Sequence, residues 1–170
     1  MAIPPVQRFL AGFEQGAKAA NPKIVVFSDY VGKSDTTAWN NPAGAKTLAR
    51  AQFAKGADVI FAVAGGSGLG VFEAAKEVKK FAIGVDRNQN GLEPGIILTS
   101  VVKRVDTAVF QAAESLKNNR FRGGQHWLGI KEGGIELAVD QYTKKLVKPA
   151  VIKEIELVAK KISDGQIKVK

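Results

Sequence analysis

The stretch from Asp58 to Asp86, DVIFAVAGGSGLGVFEAAKEVKKFAIGVD, is the feature that most constrains the fold of this chain. Its apolar run Val59–Ala64 is typical of a parallel strand that is covered on both faces. A glycine-rich turn, a helical pattern of apolar residues and a second apolar run, Phe81–Val85, follow in order. Together they make one complete βαβ unit, so the sequence predicts a domain built on a parallel sheet.

The glycine turn Gly65–Gly70 has two interpretations. It does not fit the dinucleotide fingerprint, because Val71 occupies the position of the third glycine, and no Gly-Lys-Ser/Thr follows to make a Walker loop. Backbone N–H groups at the start of the helix can bind a ligand oxygen or an anion. The glycines can equally serve only a tight turn with close packing, and taken alone they favour this structural role.

Two charged residues follow apolar strands at the same predicted edge of the sheet. Asp86 follows Phe81–Val85, and Lys103 follows Ile96–Val102. Ligands of open α/β sheets bind at the carboxyl ends of the strands, and an acceptor beside a donor suits a polyhydroxylated ligand. Each residue also has an ordinary explanation, as a turn aspartate or a solvated lysine. Trp39, in the polar loop 28–41, either packs on a neighbouring helix or offers a flat face for stacking a nucleobase.

The remaining pattern predicts one three-layer α/β domain over residues 1–170, with a mostly parallel sheet. We expect the other helices at Val6–Ala20, Pro42–Lys55, from about Asp106 to Asn119, and Pro149–Ser163, and further strands at Ile24–Phe27, Ile96–Val102, His126–Ile130, Ile135–Val139 and Ile167–Val169. The chain opens with a helix instead of the strand that normally starts such a sheet. We therefore expect a sheet that lacks its first strand, either because the sequence was cut or because a partner supplies that strand.

Composition narrows the class of function. The net charge is +9, but no basic stretch alternates with aromatic residues, which favours a lysine-rich surface and no nucleic-acid partner. Cysteine is absent and His126 is the only histidine, so thiolate and histidine metal clusters are excluded. No nucleophile elbow or acid/base pair is recognisable either. We expect a binding protein that is not an enzyme and uses no cofactor or metal.

Several segments, in order and spacing, resemble the basic membrane protein family, the purine-nucleoside-binding lipoproteins that feed ABC importers. The most recognisable is FAVAGGSGLGVFEAAKE at residues 61–77. The loop Trp39–Pro42 is similar to the family's aromatic-x-Asp-Pro loop, with Asn41 in place of the usual aspartate. The other matching segments are Ile3-Pro4 with Arg8-Phe9, Ala82–Asp86, Leu98–Asp106 and Leu128–Gly134.

This resemblance implies a lobe of the type I periplasmic-binding-protein fold, which is flavodoxin-like. It implies that Asp86 accepts hydrogen bonds from ribose hydroxyls and that Lys103 donates to the sugar. Gly65 and Gly66 would let the backbone approach the ligand, and Trp39 would border the base. The implied function is that of a solute-binding module of an ABC importer, for a purine nucleoside or a similar ribose-bearing solute.

The resemblance covers only about the second half of a family member. It implies an ABC permease as partner of the full-length parent, which is extracytoplasmic and lipid-anchored, whereas no signal or anchor is visible here. We expect the missing first lobe or a second copy of the chain as a further partner, and weak nucleoside binding by this chain alone. The alternatives are a flavodoxin-like phosphate- or cofactor-binding protein that uses the turn Gly65–Gly70, and a sensor or interaction domain without a ligand.

Overall fold

The structure, a computed structural model, describes residues 1–32 and 35–169. Within these residues a four-stranded sheet forms in the order β1-β2-β3-β4. Strands β1 to β3 are parallel, and β4 pairs antiparallel with β3. The strands are β1 Val59–Phe61, β2 Phe81–Asp86, β3 Ile97–Lys103 and β4 Ile135–Leu137. The helices are α1 Pro4–Ala20, α2 Pro42–Ala54, α3 Gly68–Glu77, α4 Val105–Lys117, α5 Thr143–Leu146 and α6 Pro149–Ser163.

Helices cover both faces of the sheet, as the side chains of β1 show. The Phe61 ring packs edge-on against Phe9 of α1, with 6.0 Å between ring centroids. The next side chain, Ala62, lies against α3, where a Cβ added to Gly68 would sit 3.4 Å from the Ala62 Cβ. Successive side chains of a strand point to opposite faces, so α1 and α3 lie on opposite sides of the sheet. The predicted three-layer α/β fold is confirmed.

The core lies where α2 and α3 pack on the sheet, and it includes the fully buried Phe72 and Ile97. Gly70 lets the two helices touch, because a Cβ there would lie 1.9 Å from the Pro42 carbonyl oxygen. On the outer side of this contact, Lys46 Nζ lies 2.8 Å from a Glu77 carboxylate oxygen. Hydrogen bonds from Lys46 and then Arg50 lower the pKa of Glu77. The α2–α3 pair is therefore closely packed and joined by ion pairs at its rim.

Three predicted strands do not form, and those predictions are wrong. Ile24–Phe27, His126–Ile130 and Ile167–Val169 all run as irregular chain, and Val25 is 71% exposed. An apolar run becomes a strand only when a neighbouring backbone is placed to pair with it. Of the predicted loop 28–41, Lys33 and Ser34 lie outside the described residues. No helix in the described chain is long and apolar enough to cross a membrane.

Candidate functional site

Asp86 and Lys103 meet at the carboxyl edge of the sheet. They end the neighbouring parallel strands β2 and β3, in which Asp86 is paired with Val102. Lys103 Nζ lies 2.7 Å from Asp86 Oδ1, and both side chains are about half exposed. Asp86 also has a φ of +70°, a left-handed conformation that is uncommon for a residue other than glycine. The structure thus brings together the acceptor and the donor that the sequence placed at one edge.

The glycine turn and Trp39 form the neighbouring wall of the same site. Gly65 has a φ of +56°, and a Cβ there would lie 3.5 Å from the Trp39 ring. A Cβ on Gly66 would lie 3.1 Å from the Trp39 carbonyl oxygen. The glycines therefore allow the loop that carries Trp39 to pack directly on the turn. Trp39 is partly buried.

A small cavity of about 200 Å³ joins these residues. Trp39, Gly65, Asp86 and Lys103 line it, whereas Gly66 does not. Its remaining wall consists of Val63 and the first turns of α1, which contribute Ile3, Pro5, Val6 and Phe9. The participation of α1 was not anticipated from the sequence. Lys103 Nζ lies 5.1 Å from the centre of the Phe9 ring, so the ammonium group is held over an aromatic face as well as beside a carboxylate.

Ser67 fixes the position of the Trp39 loop. Its hydroxyl is fully buried, donates to the Ala38 carbonyl oxygen at 2.6 Å and accepts from the Asn41 N–H at 2.7 Å. The Asn41 side chain in turn accepts from the Gly44 N–H at 2.9 Å and caps α2. One hydroxyl therefore ties the glycine turn to the residues on both sides of Trp39. This role of Ser67 could not be predicted from the sequence, because a serine among glycines is equally typical of any turn.

A buried polar network supports the backbone around Asp86. The Gln89 side chain accepts from the Val85 N–H at 2.8 Å, and the Gln89 N–H donates to the Ser100 hydroxyl at 3.0 Å. That hydroxyl donates to the side-chain oxygen of the fully buried Asn90 at 2.7 Å. The lack of a side chain at Gly84 makes room for the Ser100 hydroxyl, since a Cβ at Gly84 would lie 2.5 Å from its oxygen. The loop that follows β2 is thereby tied to β3.

Arg104, next to Lys103, takes part in a separate surface network. Its guanidinium lies 2.7 Å from an Asp106 oxygen and 3.1 Å from a Glu136 oxygen. The hydrogen bond from Arg104 and a backbone hydrogen bond lower the pKa of Asp106 to about 2. These contacts join the start of α4 to β4, and they leave Lys103 as the cation that faces the cavity.

Chemically, the site offers a carboxylate, an ammonium group and an aromatic ring around a small opening. Among residues 1–32 and 35–169, no group of three or more histidine, aspartate or glutamate side chains is placed to hold a metal ion. Such a set of groups can bind a ligand that carries hydroxyl groups and a flat ring.

Comparison of the sequence with known families gives a match over residues 1–170 to the Bmp family, described as "ABC transporter substrate-binding protein PnrA-like". The chain is 35% identical over 168 residues to Basic membrane protein D of Borreliella burgdorferi (strain JD1), covering 96% of this chain and 48% of that protein. It is 33% identical over 166 residues to the ABC transporter nucleoside-binding protein BmpA of Lactococcus lactis subsp. cremoris (strain MG1363), covering 87% of this chain and 46% of that protein.

Solved structures resemble this one over almost its whole length. An ABC transporter solute-binding protein from Aeropyrum pernix K1 superposes with a TM-score of 0.78 at 29% identity, covering 99% of this chain and 55% of that one. A second, from Conexibacter woesei DSM 14684, has a TM-score of 0.72 at 19% identity, and this likeness concerns the fold alone. The chain spans about half the length of the relatives that it matches.

Proposed function

Because this chain belongs to the Bmp family of PnrA-like ABC transporter substrate-binding proteins, we propose that it is a solute-binding module whose ligand is a purine nucleoside or a similar ribose-bearing solute. The observation that carries the proposal is the cavity at the carboxyl edge, where Trp39, Asp86 and Lys103 meet. In the same proposal, the module acts outside the cytoplasm within a longer, lipid-anchored protein that delivers its ligand to an ABC permease.

The chemistry of the cavity supports a ligand with a diol and a flat base. A carboxylate accepts hydrogen bonds from two neighbouring hydroxyls, and an ammonium group donates to the sugar oxygens. An aromatic ring such as that of Trp39 provides a surface on which a base can stack, as aromatic residues do in other base-binding proteins. The L. lactis relative is named as a nucleoside-binding protein, which agrees with this assignment.

The Asp86–Lys103 ion pair is no obstacle to binding. Both groups are about half exposed, and ion pairs at such positions contribute only about 0–1 kcal/mol. Ligand hydroxyls can therefore insert between or beside the two side chains at small cost. An anion at the glycine turn is less favourable, because the Trp39 carbonyl oxygen already lies close to Gly66. The arrangement thus favours a hydroxyl-bearing ligand over a phosphate.

We expect the isolated chain to bind its ligand weakly. The cavity of about 200 Å³ is smaller than the roughly 300–1,000 Å³ of typical ligand sites. A ligand seated there keeps one face in water and makes fewer contacts to offset the loss of its free motion. A dissociation constant well above the micromolar range follows for this chain alone.

Saturation-transfer NMR with millimolar inosine, guanosine and adenosine tests the proposal, since it detects weak binding. A 2′-deoxynucleoside and a free purine base serve as ligand controls. Asp86→Asn should weaken binding about ten- to a hundredfold, because hydrogen bonds to a charged group contribute about 1.5–3 kcal/mol. Asp164→Asn, on a turn at the far end of the chain, is the matched control and should change nothing. Equal binding by Asp86→Asn and wild type, or no nucleoside signal at all, would contradict the proposal.

A further inference from the structure

A second cavity, of about 750 Å³, lies beside the free edge of the sheet. It separates β1 from residues 24–31, α1 and α2 contribute further walls, and it extends over the face of the sheet to Ile83 and Leu98. We call it the edge slot. Its lining is mainly apolar, with side chains that include Leu10, Phe13, Val26, Leu48, Ile60 and Phe61.

Backbone groups of β1 point into the edge slot. The Phe81 N–H donates to the Asp58 carbonyl oxygen at 3.1 Å, and the Ala62 N–H donates to the Ile83 carbonyl oxygen at 3.0 Å. Backbone groups alternate along a strand, so those of Val59 and Phe61 face away from β2. In the described part of the chain, no strand lies on that side of β1. The sheet therefore has an open edge inside an apolar cavity.

The strand order shows where a further strand belongs. Flavodoxin-like sheets have the order 2-1-3-4-5, in which the first strand lies between the second and the third. Here residues 24–31 follow α1 as a second strand would, and β1 takes the third position. The edge slot is then the position of the first strand. Met1 lines the slot, while Ile3 and Pro5 lie at the carboxyl edge with Asp86. A strand parallel to β1 would end at that edge, where α1 begins.

The C-terminal residues do not occupy the slot. A Cβ added to Gly12 would lie 3.8 Å from a methyl group of Val169, and Gln15 donates to the Lys168 carbonyl oxygen at 2.9 Å. The last residues thus lie on α1, and Val169 remains about half exposed. The predicted strand Ile167–Val169 is therefore not available as an internal substitute in this arrangement.

We propose that the edge slot is a strand-binding site that takes one extended, apolar, uncharged segment running parallel to β1. The segment comes from the half of the family's sequence that this chain does not match, because the matched relatives are about twice as long as the aligned region. On binding, the segment pairs with β1 on one side and with residues 24–31 on the other. The stretch 24–31 then becomes a strand. This inference does not depend on the identity of the ligand.

Hydrogen exchange of the Val59 and Phe61 amides, followed by NMR on the full chain, tests the proposal. Two probes are used. One is the unmatched half of the A. pernix solute-binding protein, added as a separate polypeptide. The other is a version of this chain with Ile-Val-Val-Ile-Val placed directly before Met1. We expect rapid exchange in the chain alone and protection of at least about 100-fold with either probe, because both amides then enter a buried ladder.

Leu10→Trp fills the slot and should abolish the protection of the Val59 and Phe61 amides. Ala11→Trp, on the exposed side of α1, should leave that protection unchanged. Circular dichroism establishes that both variants fold. Protection already present in the monomeric chain, or absent with both probes, overturns the proposal. Protection with the extension alone overturns the assigned source of the strand. A dimer of the chain alone with the same amides protected would show that a second copy fills the slot, and it would overturn that assignment too.

Discussion

Replacing Ser67 by alanine removes one hydroxyl and leaves two backbone groups without their partner. These are the Ala38 carbonyl oxygen and the Asn41 N–H, which lie 2.6 and 2.7 Å from the hydroxyl. A buried polar group without a partner costs about 1–3 kcal/mol, and water can partly replace the serine at the exposed Asn41. We therefore expect Ser67→Ala to lower the free energy of unfolding by about 2–3 kcal/mol, and the melting temperature by about 4–10 °C.

Urea denaturation followed by circular dichroism measures this loss. Ser115→Ala is the matched control, because the Ser115 hydroxyl donates an exposed hydrogen bond to the Ala112 carbonyl oxygen within its own helix, at 2.7 Å. Alanine favours a helix, so the control should be neutral or slightly stabilising. In a Trp127→Phe background, Trp39 fluorescence reports the site itself, and it should shift to the red in Ser67→Ala as the loop loosens. A loss below about 0.5 kcal/mol, or one equal to that of the control, would refute the reasoning.

The remaining predictions concern packing, the buried network and pH. Gly70→Ala should lower the free energy of unfolding by about 1–3 kcal/mol through overpacking, because the added Cβ meets the Pro42 backbone. Gly16→Ala, whose Cβ meets nothing within 4 Å, should instead stabilise α1 by about 0.5–1 kcal/mol. Equal melting temperatures of the two variants in thermal denaturation would contradict this prediction. Asn90→Ala should lower the free energy of unfolding, measured by urea denaturation, by about 2–4 kcal/mol. Asn118→Ala, at an exposed helix end, should change it little. Equal losses in the two variants would contradict a stabilising role of the buried Asn90–Ser100 network. Because the pKa of Asp106 is lowered to about 2 in the folded state, its contribution to stability is present above its unfolded pKa of about 4 and is lost as the pH falls from 4 to 2. Asp106→Asn should accordingly flatten the acid limb of the stability curve, and an unchanged limb would show that the Arg104 contact is not made in solution.

Much of the fold was predictable because its signals are local. The apolar runs of the βαβ unit alternate with a helical pattern, and they identify β1, α3 and β2 without reference to any distant residue. The same logic placed Asp86 and Lys103, since a residue that ends a parallel strand lies at the carboxyl edge whatever surrounds it. The family resemblance adds Trp39, Gly65 and Gly66 to the residues predicted at the site. The family itself is confirmed by the match over the whole chain.

The sequence by itself thus determined the α/β class, the order of the central elements and the edge at which a ligand site would lie. Only the tertiary structure decided which residues hold that site in place: the Ser67 hydroxyl between two segments of the Trp39 loop, the Asn90–Ser100 network and the first turns of α1. It also decided that Ile24–Phe27 is no strand. The physical reason is common to these cases. Strand pairing and buried polar contacts depend on a partner that is distant in sequence, whereas apolar periodicity reports only which face of an element is to be covered.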